Sequence, residues 1–141
     1  MSKRKDERGE NLLAVFVKAS ELLAYTIRAV CNETHFRARY RYENGSPCVD
    51  LARQIMHCVT FADAVVPVDD ETRNARLAYQ QEALRCGEAL KAEIIMNVLH
   101  FGLNETKAKY WDALLQEWRE LCLAWMRSDR RQYAAVGGGE R

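Results

Sequence analysis

Proline and glycine are scarce in this chain: two prolines and seven glycines stand among 141 residues, with three of the glycines together at Gly137, Gly138 and Gly139. So few turn residues in the body disfavour a sandwich or barrel of many short strands and leave long helices as the economical element. An excess of charge of one sign is also missing, because 21 basic residues face 20 acidic ones for a net charge of +1. With 48% apolar and 29% charged residues the composition is that of one folded domain, neither disordered nor uniformly basic. No uncharged run reaches the ~18 residues that a membrane span requires, and Met1 to Arg8 are not followed by an apolar segment ending in a small-residue cleavage site. The cysteines Cys31, Cys48, Cys58, Cys86 and Cys122 are odd in number, widely spaced and mostly set in apolar stretches. That is the pattern of reduced core thiols, not of a disulfide framework, and it predicts a cytoplasmic protein without membrane association.

What is present is helical periodicity. A first stripe runs through Leu12, Val15, Phe16, Ala19, Leu22, Leu23, Thr26, Ile27 and Val30 at the three-and-four spacing of one helix face. Asn44-Gly45-Ser46-Pro47 reads as a turn into a second helix, with Ser46 as N-cap, Pro47 at the first position, and Leu51, Ala52, Ile55, Val59, Ala62 and Val66 inward. Pro67 closes that helix, and Asp69-Asp70 cap a long third one striped by Ala75, Tyr79, Ala83, Cys86, Leu90, Ile94, Val98 and Phe101, with Gly102 as its left-handed end. Asn104 caps the fourth, whose heptad is Trp111, Leu114, Trp118, Leu121 and Trp125, widened by Leu115 and Cys122. The predicted fold is all-α, an antiparallel up-down-up-down four-helix bundle over residues 11–133, with residues 1–10 and 134–141 flexible.

Residues 33–46 carry no period and form a longer link than the ~2–8 residues usual between bundle helices, which points to a functional loop. Within it, His35 to Tyr42 alternate basic with mostly aromatic positions, so an extended strand would place Arg37, Arg39 and Arg41 on one face. Arginine forks match phosphate oxygens, while the aromatics can stack on bases or anchor the loop to the bundle. In an up-down bundle Lys107 and Lys109, at the start of the fourth helix, join the same rim. Arg127, Arg130 and Arg131 gather near the other end with Arg73 and Arg76, where they can also complement a helix macrodipole.

Catalytic and metal chemistry have no residues to carry them. His35, His57 and His100 lie in separate segments, and no Glu-x-x-His pair, His-Glu-x-x-His, Cys-x-x-Cys or glycine-rich phosphate loop occurs. The expectation is therefore no catalytic residue, no metal and no cofactor.

The order of features resembles a known family. The apolar first helix, the link Phe36-Arg37-Ala38-Arg39-Tyr40-Arg41-Tyr42, the helix with Leu51-Ala52-x-x-Ile55, the run Arg76 to Leu84 and the ending Trp125-Met126-Arg127-Ser128-Asp129-Arg130-Arg131 are similar to those of the accessory variability determinants of diversity-generating retroelements. They also resemble the bundle protein encoded in intervening sequences of large-subunit ribosomal RNA genes. The likeness covers residues 12–133 and implies a homopentamer of four-helix bundles. It further implies binding to the retroelement's reverse transcriptase and its template RNA, to support cDNA synthesis in mutagenic retrohoming. Carried onto this chain, the binding residues would be Arg37, Arg39, Arg41, Lys107, Lys109, Arg127, Arg130 and Arg131. The contrasting expectation is an oligomeric protein-protein adaptor, or an intervening-sequence-type bundle, that binds no nucleic acid.

Overall fold

The computed structural model describes residues 2–32 and 40–139, with side chains over 12–32 and 40–133. Among the described residues the chain forms four α-helices and no strand: α1 (Ser2–Cys31), α2 (Ser46–Ala64), α3 (Asp70–Phe101) and α4 (Glu105–Gly139). A π-helical turn over Arg41–Gly45 leads into α2. α1 and α3 each pack against both α2 and α4, which closes the four helices around one core. Val15, Ala19 and Leu22 enter it from α1, Ala52, Ile55 and Val59 from α2, Ala83, Leu90 and Ile94 from α3, and Trp111, Leu115, Trp118 and Trp125 from α4.

The local signals that begin and end α3 and begin α4 hold. Asp69 Oδ1 accepts from the Thr72 backbone N–H (2.8 Å) and the Asp69 N–H donates to Thr72 Oγ1 (3.0 Å), a capping box at the start of α3. Those hydrogen bonds hold the Asp69 carboxyl below its usual range, the backbone bond from Thr72 being the largest cause. Gly102 ends α3 at φ 75°, and Asn104 Oδ1 accepts from the N–H groups of Thr106 and Lys107 at 2.9 and 3.2 Å.

Several details differ from the periodic reading: Val66, expected inward, lies beyond the end of α2 and is exposed, and Phe16 and Ile27 of the α1 stripe are exposed at its edges. Ser46 is not the cap of α2: it is itself helical after Gly45, and its Oγ donates to the Arg41 carbonyl, because the π-turn carries the chain into α2 without an extended residue. In the first half of α3 the inward positions are Arg76 and Gln80, while Ala75 and Tyr79 face out, because a paired charge is accepted inside and displaces the apolar register. Helical backbone also runs beyond the stripes of α1 and α4, starting at Ser2 and ending at Gly139, since a stripe marks where a helix packs and not where it stops.

Candidate functional site

At one end of the bundle, Tyr25 of α1 reaches the Lys107 carbonyl of α4 (3.5 Å), and Tyr40 packs edge-on against Phe101 at the end of α3 (5.2 Å between centroids). The π-turn is pinned here by its backbone. Asn44 and Gly45 are buried, and a Cβ on Gly45 would lie 2.5 Å from Val30 Cγ1. Lys107 and Lys109 are exposed at the start of α4 and form no ion pair among the described residues. Arg41 is only half-exposed: one of its terminal nitrogens donates to the Cys31 carbonyl (3.4 Å), an orphan acceptor at the end of α1, while its Nε is buried without an acceptor among the described residues. Arg37 and Arg39 lie outside the described residues.

The second basic cluster divides. Arg127, Arg130 and Arg131 are exposed, but α4 continues to Gly139, so they stand well before the last turn, where the macrodipole acts. Arg130 lines a cavity of about 200 Å³ together with Arg73, Leu77, Met126 and Tyr133. Arg76, expected beside them as a surface cation, is buried. Its Nε and Nη2 donate to the two carboxylate oxygens of Asp129 (2.6 and 3.2 Å), and its Nη1 donates to the Ala62 and Val65 carbonyls at the end of α2 (3.2 and 3.3 Å). Gln80 Nε2 donates to the same carboxylate (2.9 Å), and the guanidinium carbon lies 5.2 Å from the Trp125 ring centroid. One side chain therefore neutralises a buried acid and donates to two carbonyls at the end of a neighbouring helix. Arg73 is engaged as well, with the Tyr133 carbonyl (2.9 Å) and with Asp70.

Between α3 and α4, Lys91, Ile94, Ile95, Leu99, Lys109 and Asp112 line an apolar groove of about 280 Å³, in which Ile95 and Leu99 are 48% and 69% exposed. On the α1–α4 seam Lys18 bridges Glu21 and Glu117, both at 2.9 Å, and these hydrogen bonds, Glu117 first, hold its ammonium above the usual lysine range. Burial pushes the Cys48 and Cys122 thiols up to about 12 and Cys86 up to about 11, so at neutral pH these are inert core groups. Among the described residues no three His, Cys, Asp or Glu side chains gather in a metal-binding arrangement, and no helix is long and apolar enough to cross a membrane.

Sequence reasoning missed Arg76, Gln80 and Asp129 as a unit. Their partners lie 49 to 53 residues apart along the chain, so no local spacing marks them. It also missed Arg28, Tyr25 and Tyr110 on the α1–α4 seam, for which an aromatic one turn from a cation is the only available signal. Comparison of the chain with protein-family models, with curated proteins and with solved structures finds no match.

Proposed function

We propose that this chain is a non-catalytic accessory subunit of a retroelement reverse transcriptase, an oligomeric bundle of the accessory-variability-determinant kind that holds the polymerase and its template RNA or cDNA. The observation that carries the reading is the pair Lys107 and Lys109, exposed and in no ion pair among the described residues, at the end where Arg28 and Arg41 also lie. Exposed cations in no ion pair, held on a rigid helix start, suit phosphate contacts, which need position and charge but no catalytic group.

The helix arrangement in this reading is antiparallel and up-down-up-down. Support comes from the order of the pairings: Lys18 meets Glu117 while Tyr25 meets Lys107, and Arg76 meets Asp129 while Glu88 meets Arg119. Partners that advance along one helix as they retreat along the other belong to oppositely directed neighbours. Self-association, as a pentamer in this reading, would have the exposed Ile95 and Leu99 of the α3–α4 groove as an apolar contact. The same groove also favours the second reading, an oligomeric adaptor that meets proteins only.

RNA retention by the purified chain, alone and with the polymerase, tests the choice. Affinity should fall steeply between about 50 and 200 mM salt, and charge reversal of Lys107, Lys109 and Arg41 should abolish it. No retention of RNA at low salt in either form overturns the nucleic-acid role and leaves the adaptor. A monomer in light scattering overturns the pentamer.

A further inference from the structure

The α1–α4 seam at the connector end holds an aromatic pair that charge does not account for. The rings of Tyr25 and Tyr110 lie 4.9 Å apart, tilted by 55°, and Tyr25 meets Trp111 edge-on at 6.1 Å. With its hydroxyl bonded to the Lys107 carbonyl, Tyr25 is fixed along its whole length. Tyr110 lies against it yet remains 57% exposed. One ring is a support, and the other is a shelf whose outer face is open.

Two cations beside the shelf form no ion pair among the described residues. Arg28 acts electrostatically on Tyr25, and Lys107 precedes Tyr110 by three residues on α4, one turn away. The carboxylates on the same seam, Glu21 and Glu117, both pair with Lys18, one turn or more from Tyr25 and away from Lys107. Glu105 and Asp112 line the α3–α4 groove with Lys91 and Lys109. Neither Arg28 nor Lys107 forms an ion pair among the described residues, and an exposed aromatic ring on the same seam as two such cations suits a partner carrying both flat rings and negative charge.

We propose that the Tyr25–Tyr110 shelf stacks unpaired nucleobases of single-stranded RNA while Arg28 and Lys107 hold the flanking phosphates. This rests on the nucleic-acid reading above and narrows it, because a duplex hides its base faces in its own stack and offers the protein only phosphates and groove edges. A protein partner would instead need carboxylates to match the two cations.

Fluorescence anisotropy with a labelled, unstructured CA-repeat oligoribonucleotide and a blunt RNA duplex of equal length tests the shelf at fixed low salt. Tyr110→Ala is expected to weaken the single strand roughly tenfold and the duplex less than about twofold, while Tyr110→Phe, which keeps the ring, retains both affinities. Tyr110→Ala should leave the salt slope unchanged, whereas Lys107→Gln lowers it by about one. Equal weakening of both RNAs overturns stacking and leaves the charge reading intact. No effect on either RNA does the same and is the outcome if a protein covers the patch. Failure of the wild type to retain either RNA overturns the parent reading and the shelf with it. Far-UV circular dichroism and the thermal midpoint of each variant show that the helices are unchanged.

Discussion

Arginine and lysine meet opposite fates at the two ends of this bundle. Near the end of α2, Arg76 is drawn inside, where Asp129, Gln80 and two helix-end carbonyls satisfy it. At the connector end, Lys107 and Lys109 stay in water and form no ion pair among the described residues, although Glu105 and Asp112 share the groove with Lys109. Residue type does not decide the outcome; the presence of a carboxylate at the right register does. A buried cation with all three of its nitrogens engaged fixes how helices meet, and an unpaired one on a rigid surface is left available for a partner.

The sharpest way to break this contrast is at Asp129. Removing it as Asp129→Ala strands Arg76 in the core and should cost about 3–5 kcal/mol in urea unfolding, while replacing Arg76 and Asp129 together by Met and Leu should cost far less or even stabilise. A loss below about 1 kcal/mol for Asp129→Ala would mean that Arg76 escapes to solvent, and the two ends would then be alike. Next in size is Gly45→Ala, which drives a methyl group into Val30 and should cost about 1–3 kcal/mol. It tests whether the connector end is anchored by backbone packing, as opposed to its cations.

A smaller effect is expected at Asp69. Its carboxyl titrates below the ordinary aspartate range, so its contribution is fully present above the unfolded value near 3.9 and is lost as pH falls through the folded value. Asp69→Ser keeps an N-cap acceptor without the titration, so its acid unfolding curve should lose that part of the pH dependence. Smallest of all, Lys107→Gln and Lys109→Gln should change stability by no more than about 0.5 kcal/mol, because exposed unpaired cations hold nothing in the fold together. If either destabilises the chain by more, it has a structural partner and the proposed interface loses it.

Much of the fold was legible because its signals are local. Asp69, Gly102 and Asn104 act within a few residues of themselves, and the three tryptophans at heptad spacing needed only the helix period. What escaped depends on distance in the chain. Arg76 and Gln80 read as outward residues until Asp129 supplies their partner, which turned the expected stripe of α3 by one position. Arg41 read as a phosphate ligand, yet part of its guanidinium serves the end of α1, a task visible only once Cys31 is folded beside it. The shelf was missed for the same reason, since Tyr25 and Tyr110 meet only through tertiary packing.

The tryptophans have a consequence in optics. All three lie on α4, and each faces a different contact: Trp111 Nε1 donates to Thr26 of α1 (3.0 Å), the Trp118 ring abuts Gly87 of α3, and Trp125 lies beneath Arg76. Their emission is therefore a record of how one helix is seated. Chains keeping a single indole would glow or dim as α1, the middle of α3 or its charged end let go, so the order in which the bundle comes apart can be read from its own light without an added dye.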